Sequence, residues 1–140
     1  MLPYKLFLDD IRTLRQTAEM TNDSSYVEEE WLIVRNYNEF TLTVTDMFKD
    51  GYFPLLVSFD HDLGYEHTSY YFNNGGHENP PDPLKADFKE KTGYDCAKWL
   101  VDFCIDNKIE LPKYVVHSKN PVGKKNIEGY FESYLKQLEK

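Results

Sequence analysis

The chain has 140 residues, 24 acidic against 16 basic side chains, a net charge of -8 and 41% hydrophobic residues. That is enough for one globular domain over residues 1–140 and too little for two. The acidic balance argues against an extended nucleic-acid surface or an anionic-membrane surface, because both are gripped through lysine and arginine.

No apolar run approaches the ~20 residues that cross a bilayer, so no membrane partner is expected. The amino terminus lacks the basic start, sustained apolar stretch and small-residue cleavage site of a secretory leader, and the expected location is the cytoplasm. Lys5–Leu8 is a short apolar run that stops at Asp9-Asp10, and Trp31–Val34 is a second that stops at Arg35-Asn36. Both read as buried strands, with a polar loop and one short helix between them. From Tyr37 to Phe48 apolar residues recur at helical spacing until Asp50-Gly51 ends the pattern. Leu55–Phe59 follows as an almost wholly apolar strand, the pattern of a parallel strand covered on both faces, and stops at Asp60-His61-Asp62.

Residues 65–90 break this rhythm with Asn73-Asn-Gly-Gly76 and Pro80-Pro-Asp-Pro83, and read as a long inserted loop. Its histidines, His67 and His77, are expected in solvent. Cys96, Trp99, Leu100, Phe103 and Cys104 then mark one face of a helix. The two cysteines, eight residues apart on it, are ~12 Å apart and read as unbridged core thiols. The strand Tyr114–His117 and a last helix carrying Ile127 to Leu138 complete the pattern. Strands alternating with helices imply an α/β fold, a three-layer α/β/α sandwich on a parallel sheet of about four strands, flavodoxin-like in order 2-1-3-4.

In such a sheet ligands bind beyond the carboxyl ends of the strands, where the strand order reverses. The polar residues sort onto that edge: Asp9 and Asp10 after strand one, Arg35 after strand two, Asp60, His61 and Asp62 after strand three, His117 and Ser118 after strand four. Carboxylates converging there raise one another's pKa, and a hard divalent cation such as Mg²⁺ or Mn²⁺ on Asp9, Asp10 and Asp60 is the simplest remedy. His61 and His117 supply an acid and a base near neutral pH, or pack as satisfied histidines at the strand ends. Ser118–Gly123 joins a strand to a helix, so its amides and Lys119 or Lys124 suit a phosphate.

An acidic pair after strand one and an aspartate after strand three resemble the site of response-regulator receiver domains, with Asp60 at the phosphoacceptor position. Receivers continue to a fifth strand bearing a lysine, and this chain ends at the helix after strand four. Leu6–Arg12, Arg35-Asn-Tyr37, Ser58–Gly64, Thr92–Asp95 and His117–Gly123 together resemble the cyclic-phosphate processing receiver-like family, over nearly the whole chain. The resemblance implies a receiver-like fold and a site containing Asp9, Asp10, Arg12, Asp60, His61, Asp62, His117, Ser118 and Asn120. The expected activity is metal-dependent opening of a cyclic phosphodiester, on a 2′,3′-cyclic RNA end or a small cyclic nucleotide. In that scheme Asp60, His61, Asp62 and His117 are catalytic, while Arg12, Arg35, Ser118, Lys119, Asn120 and Lys124 bind substrate. The alternative is a non-catalytic receiver-like module that binds a nucleotide or a partner protein.

Overall fold

The structure is a computed structural model that describes residues 1–140. In chain order it comprises β1 (Leu2–Leu8), α1 (Leu14–Thr21), α2 (Ser25–Glu28), β2 (Leu32–Val34), α3 (Tyr37–Lys49) and β3 (Tyr52–Phe59). Then come α4 (Tyr65–Asn73), a 3-10 turn (Pro83–Lys85), α5 (Gly93–Asn107), β4 (Lys113–Val116) and α6 (Pro121–Leu138). The four strands form one parallel sheet in the order β2-β1-β3-β4, the receiver-like arrangement expected from the sequence. No helix is long and apolar enough to cross a membrane.

The register aligns Val34, Leu8, Phe59 and Val116 as one row across the sheet. Side chains alternate faces along a strand, so this row and the Leu6–Val57 pair point the same way. They meet Phe40 and Val44 of α3, Cys96 and Leu100 of α5, and Ile127 and Phe131 of α6 in one hydrophobic core. Phe7 and Ser58, on the intervening row, face the other layer, where Tyr26 of α2 and Trp31 pack against Phe7. The layers are therefore unequal: three long helices cover one face and the short α1–α2 segment covers part of the other. Cys96 and Cys104 are buried free thiols on α5.

The stretch expected as an irregular insertion contains a helix. Its only buried residues, His67 and Tyr71, lie four apart on one face, so its inward stripe holds no aliphatic residue that a hydrophobic period would detect. His67, expected in solvent, is 1% exposed. Its Nδ1 accepts from the Leu63 amide at 2.8 Å and its Nε2 donates to the Glu90 carbonyl at 2.9 Å, pinning both ends of the insertion together. His77 is exposed, as expected. The segment between the first two strands, expected as a polar loop with one short helix, contains two, α1 and α2.

Two glycines set how closely the helices approach the site. A Cβ on Gly93 would lie 1.8 Å from the Asp60 carbonyl oxygen, and one on Gly123 would lie 2.4 Å from the His61 ring. Gly129, also in α6, has open space around it. Gly123→Ala is expected to lower the free energy of unfolding by about 1–3 kcal/mol through overpacking, and Gly129→Ala to raise it by about 0.5–1 kcal/mol through helix propensity. Urea midpoints of the two variants check the opposite signs.

Candidate functional site

After β1, β3 and β4 one more backbone hydrogen bond extends the ladder one residue past the apolar row. The Asp9 amide donates to Val34 O, the Asp60 amide to Leu8 O and the His117 amide to Phe59 O. This places Asp9, Asp60 and His117 side by side at the carboxyl edge, all buried. One ligand atom from each lies within 4.8 Å of the others.

Asp9 is fully bonded. Its Oδ1 accepts from the amides of Ile11 and Arg12 at 3.1 and 2.8 Å, and its Oδ2 accepts from Arg12 Nη1 at 3.1 Å and His117 Nε2 at 3.0 Å. Burial alone pushes its pKa up, but these donors outweigh it and bring the carboxyl down to about 2. His117 has no exposed side-chain surface. Burial holds its pKa below the ordinary histidine value against the pull of Asp9. The neutral ring keeps its proton on Nε2, toward the carboxylate, and Nδ1 accepts from Ser58 Oγ at 2.7 Å. Ser58 in turn pairs with the Tyr26 hydroxyl at 2.7 Å, and Phe7 stacks on the imidazole at 4.9 Å. Both ring nitrogens are engaged, and His117 is closed off from the surface.

Asp60 is buried with less compensation. Its Oδ1 accepts from the His61 amide at 2.9 Å, while Oδ2 has only Arg12 Nη1 at 3.5 Å. Burial and the neighbouring Asp9 charge raise its pKa well above the usual carboxylate range, and Arg12 offsets only part of this. Asp10 is raised in the same sense by burial and by Asp9. Asp62 goes the other way: burial favours its neutral form, but His61 Nδ1 at 2.7 Å and Asn120 Nδ2 at 3.3 Å hold it below the ordinary value.

These side chains open on a cleft of about 300 Å³. Asp10, Arg12, Asp60 and Asp62 line one side, Ser118, Lys119 and Asn120 come from the turn into α6, and Thr68, Tyr71, Phe72 and His77 come from α4 and the turn after it. Asn120 caps α6 by accepting from the Gly123 amide at 3.0 Å. His61 faces a different cleft, of about 280 Å³, shared with Thr92, Asp95 and Lys98. Arg35 lies outside the carboxylate cleft and acts as a brace, its Nη1 donating to the carbonyls of Asp9 and Arg12 at 2.9 and 2.8 Å. Lys124 is exposed on α6, also outside the cleft lining.

Besides Asp62 Oδ2, the oxygens with unused lone pairs are those of the Asp10 and Asp60 carboxylates. They are hard oxygen ligands whose raised pKa values mark uncompensated negative charge, and they fit a divalent cation such as Mg²⁺ or Mn²⁺. Asp9 fits less well than the sequence suggests, because a metal on it would displace Arg12 or His117. Sequence reasoning does not find Ser58, Tyr26 or the cleft wall from the insertion. A serine and a tyrosine 32 residues apart carry no local signal, and Tyr71 and His77 sit in a stretch without a period.

The family model of the cyclic-phosphate processing receiver domain matches residues 4–133. No curated protein and no solved structure matches the chain.

The two buried aspartates are expected to respond oppositely to neutralisation. Asp9 has a folded pKa below its ordinary 3.8, so its ionised form stabilises the fold above that pH, and the contribution is lost as pH falls toward about 2. Asp9→Asn leaves His117 and Arg12 without their partner and is expected to destabilise by about 3 kcal/mol at neutral pH. Asp60 has a folded pKa above its ordinary value, so its contribution is present at low pH and lost as pH rises. Asp60→Asn is expected to raise the unfolding midpoint at pH 7, with the gain vanishing below pH 3.8. Thermal unfolding of both variants across pH 3–8 checks this.

Proposed function

The chain belongs to the cyclic-phosphate processing receiver domain family, and from that premise and the cleft's geometry we propose that it opens a cyclic phosphodiester by metal-dependent hydrolysis. The substrate is a 2′,3′-cyclic phosphate at an RNA end or a small cyclic nucleotide. The observation that carries this reading is the pairing, in one small cleft, of under-compensated carboxylates with cationic and amide donors.

Asp10 and Asp60 would hold a divalent cation, which when bound supplies charge to offset them and Lewis-acid polarisation of the phosphoryl oxygens. Lys119 and Ser118 orient the phosphate, beside the positive end of the α6 dipole. Arg12 adds positive charge where Asp9 and Asp60 meet. Asp62, held ionised by His61 and Asn120, accepts a hydrogen bond from the attacking water and aims it. His117 is a positioning residue: it locks Asp9, and Asp9 locks Arg12. His61 likewise works through Asp62.

A second reading is favoured by one observation. Arg12 Nη1 already bridges Asp9 and Asp60, where a cation would serve, as suits a module that binds a nucleotide without processing it. Turnover of a panel of 2′,3′-cyclic nucleotides, cyclic-ended RNA and 3′,5′-cyclic nucleotides, with Mg²⁺ or Mn²⁺ and with chelator, separates the two. Hydrolysis that requires metal and falls at least ~100-fold in Asp60→Asn is the expected result. Saturable binding of one panel member with no turnover would replace the enzyme with the binding module.

A further inference from the structure

The departing ribose oxygen needs a proton donor, and the chain's four histidines sort sharply by their bonding. His117 has both ring nitrogens engaged and no exposed side-chain surface. His67 has both nitrogens tied to backbone. His61 pairs with Asp62 and faces the other cleft. His77 alone lines the carboxylate cleft with a ring nitrogen that no protein group holds. Arginine and lysine, the other cationic types in the cleft, hold their protons too tightly to release them near neutral pH, whereas histidine is suited to it.

His77 is also oriented. The Tyr71 hydroxyl lies 2.7 Å from its Nδ1, and the rings of Tyr71 and Phe72 meet the imidazole edge-on at 5.3 and 5.5 Å. Tyr71 is itself buried. A hydroxyl both donates and accepts, so Tyr71 donates to Nδ1 when the imidazole is neutral and accepts from Nδ1–H when it is protonated. The contact therefore survives both halves of a proton-transfer cycle and leaves Nε2 as the atom that gives and regains the proton.

We propose that His77 is the general acid of the reaction, with Tyr71 as its positioning residue; the inference rests on the cyclic-phosphate reading above. As water oxygen bonds to phosphorus it loses one proton to solvent. The bond from phosphorus to one ribose oxygen breaks, its electron pair stays on that oxygen, and the oxygen takes the proton from His77 Nε2. The imidazole then regains a proton from solvent, so the net reaction is the addition of one water.

A general acid matters only when the leaving group needs a proton. Turnover of a 2′,3′-cyclic nucleotide, whose leaving ribose oxygen is strongly basic, is therefore compared with that of bis(p-nitrophenyl) phosphate, whose nitrophenolate leaves unprotonated. His77→Ala is expected to lower kcat on the cyclic nucleotide by ~100-fold or more and to change the nitrophenyl diester by less than ~3-fold. Tyr71→Phe is expected to give a smaller loss with the same selectivity. His77 is exposed, so its replacement leaves the fold intact, and His77→Gln serves as a second variant. Equal losses on both substrates, or no loss on the cyclic one, would overturn the assignment of His77 while leaving the cyclic-phosphate reading in place. A wild-type protein that opens neither substrate would remove that reading and this inference together.

Discussion

The structure turns on one carboxylate. Asp9 collects four hydrogen bonds from three sources: the turn that follows β1, the Arg12 side chain and His117 at the end of β4. A buried anion is tolerated only when its lone pairs are met by donors, and here meeting them fixes the surrounding parts. The turn is wrapped around Oδ1, Arg12 is drawn over the edge toward Asp60, and His117 is held in one tautomer by Asp9 on one side and the Ser58–Tyr26 pair on the other. Arg35 fastens the same turn from β2 through two carbonyls. The ends of β1 and β4 therefore meet through one side chain, and Arg35 ties β2 to the same turn through its backbone.

Satisfying Asp9 so completely has a consequence next door. The same donors cannot serve Asp60 equally, and the fixed Asp9 charge lies beside it, so Asp60 is buried at a disadvantage in its ionised form. Sites that bind charge are commonly built against stability in this way. The Asp10 carboxyl is raised in the same sense, and the excess negative charge at the cleft mouth is what a bound cation would offset. Lys119 and the α6 amino terminus provide the opposing potential for an anion a short distance along the same edge.

Much of this frame was legible in the sequence for a specific reason. Buried parallel strands are uniform apolar runs, and they end abruptly where the chain reaches the polar edge. Leu6–Leu8 to Asp9, Val57–Phe59 to Asp60 and Val115-Val116 to His117 are all transitions of that kind, and strand order 2-1-3-4 sets them side by side. The bonding state of each side chain was not legible. His117 and His61 are the histidines the motifs single out, yet one is sealed against Asp9 and the other opens on a second cleft. Those outcomes depend on Ser58, Tyr26 and the close approach of Gly123 to the His61 ring, contacts between residues far apart in the chain. Helix α4 escaped notice because its inward residues, His67 and Tyr71, are polar types that carry no hydrophobic period. His67 finds its second partner 23 residues away.

The division between frame and insertion also has a chemical logic. Inside the carboxylate cluster a histidine is captured: an adjacent aspartate takes one nitrogen, as Asp9 takes His117 and Asp62 takes His61, and packing denies the ring the cleft. Such a ring is held in one orientation and lies away from the carboxylate cleft. A group that gives a proton to the leaving oxygen has to reach the cleft, and it is well served by a partner that tolerates both of its charge states. His77 against the Tyr71 hydroxyl meets those conditions, and it reaches the cleft because α4, pinned at its base by His67, leans against the same edge. On the proposed reading, the rigid sheet edge holds charge and the added segment moves protons.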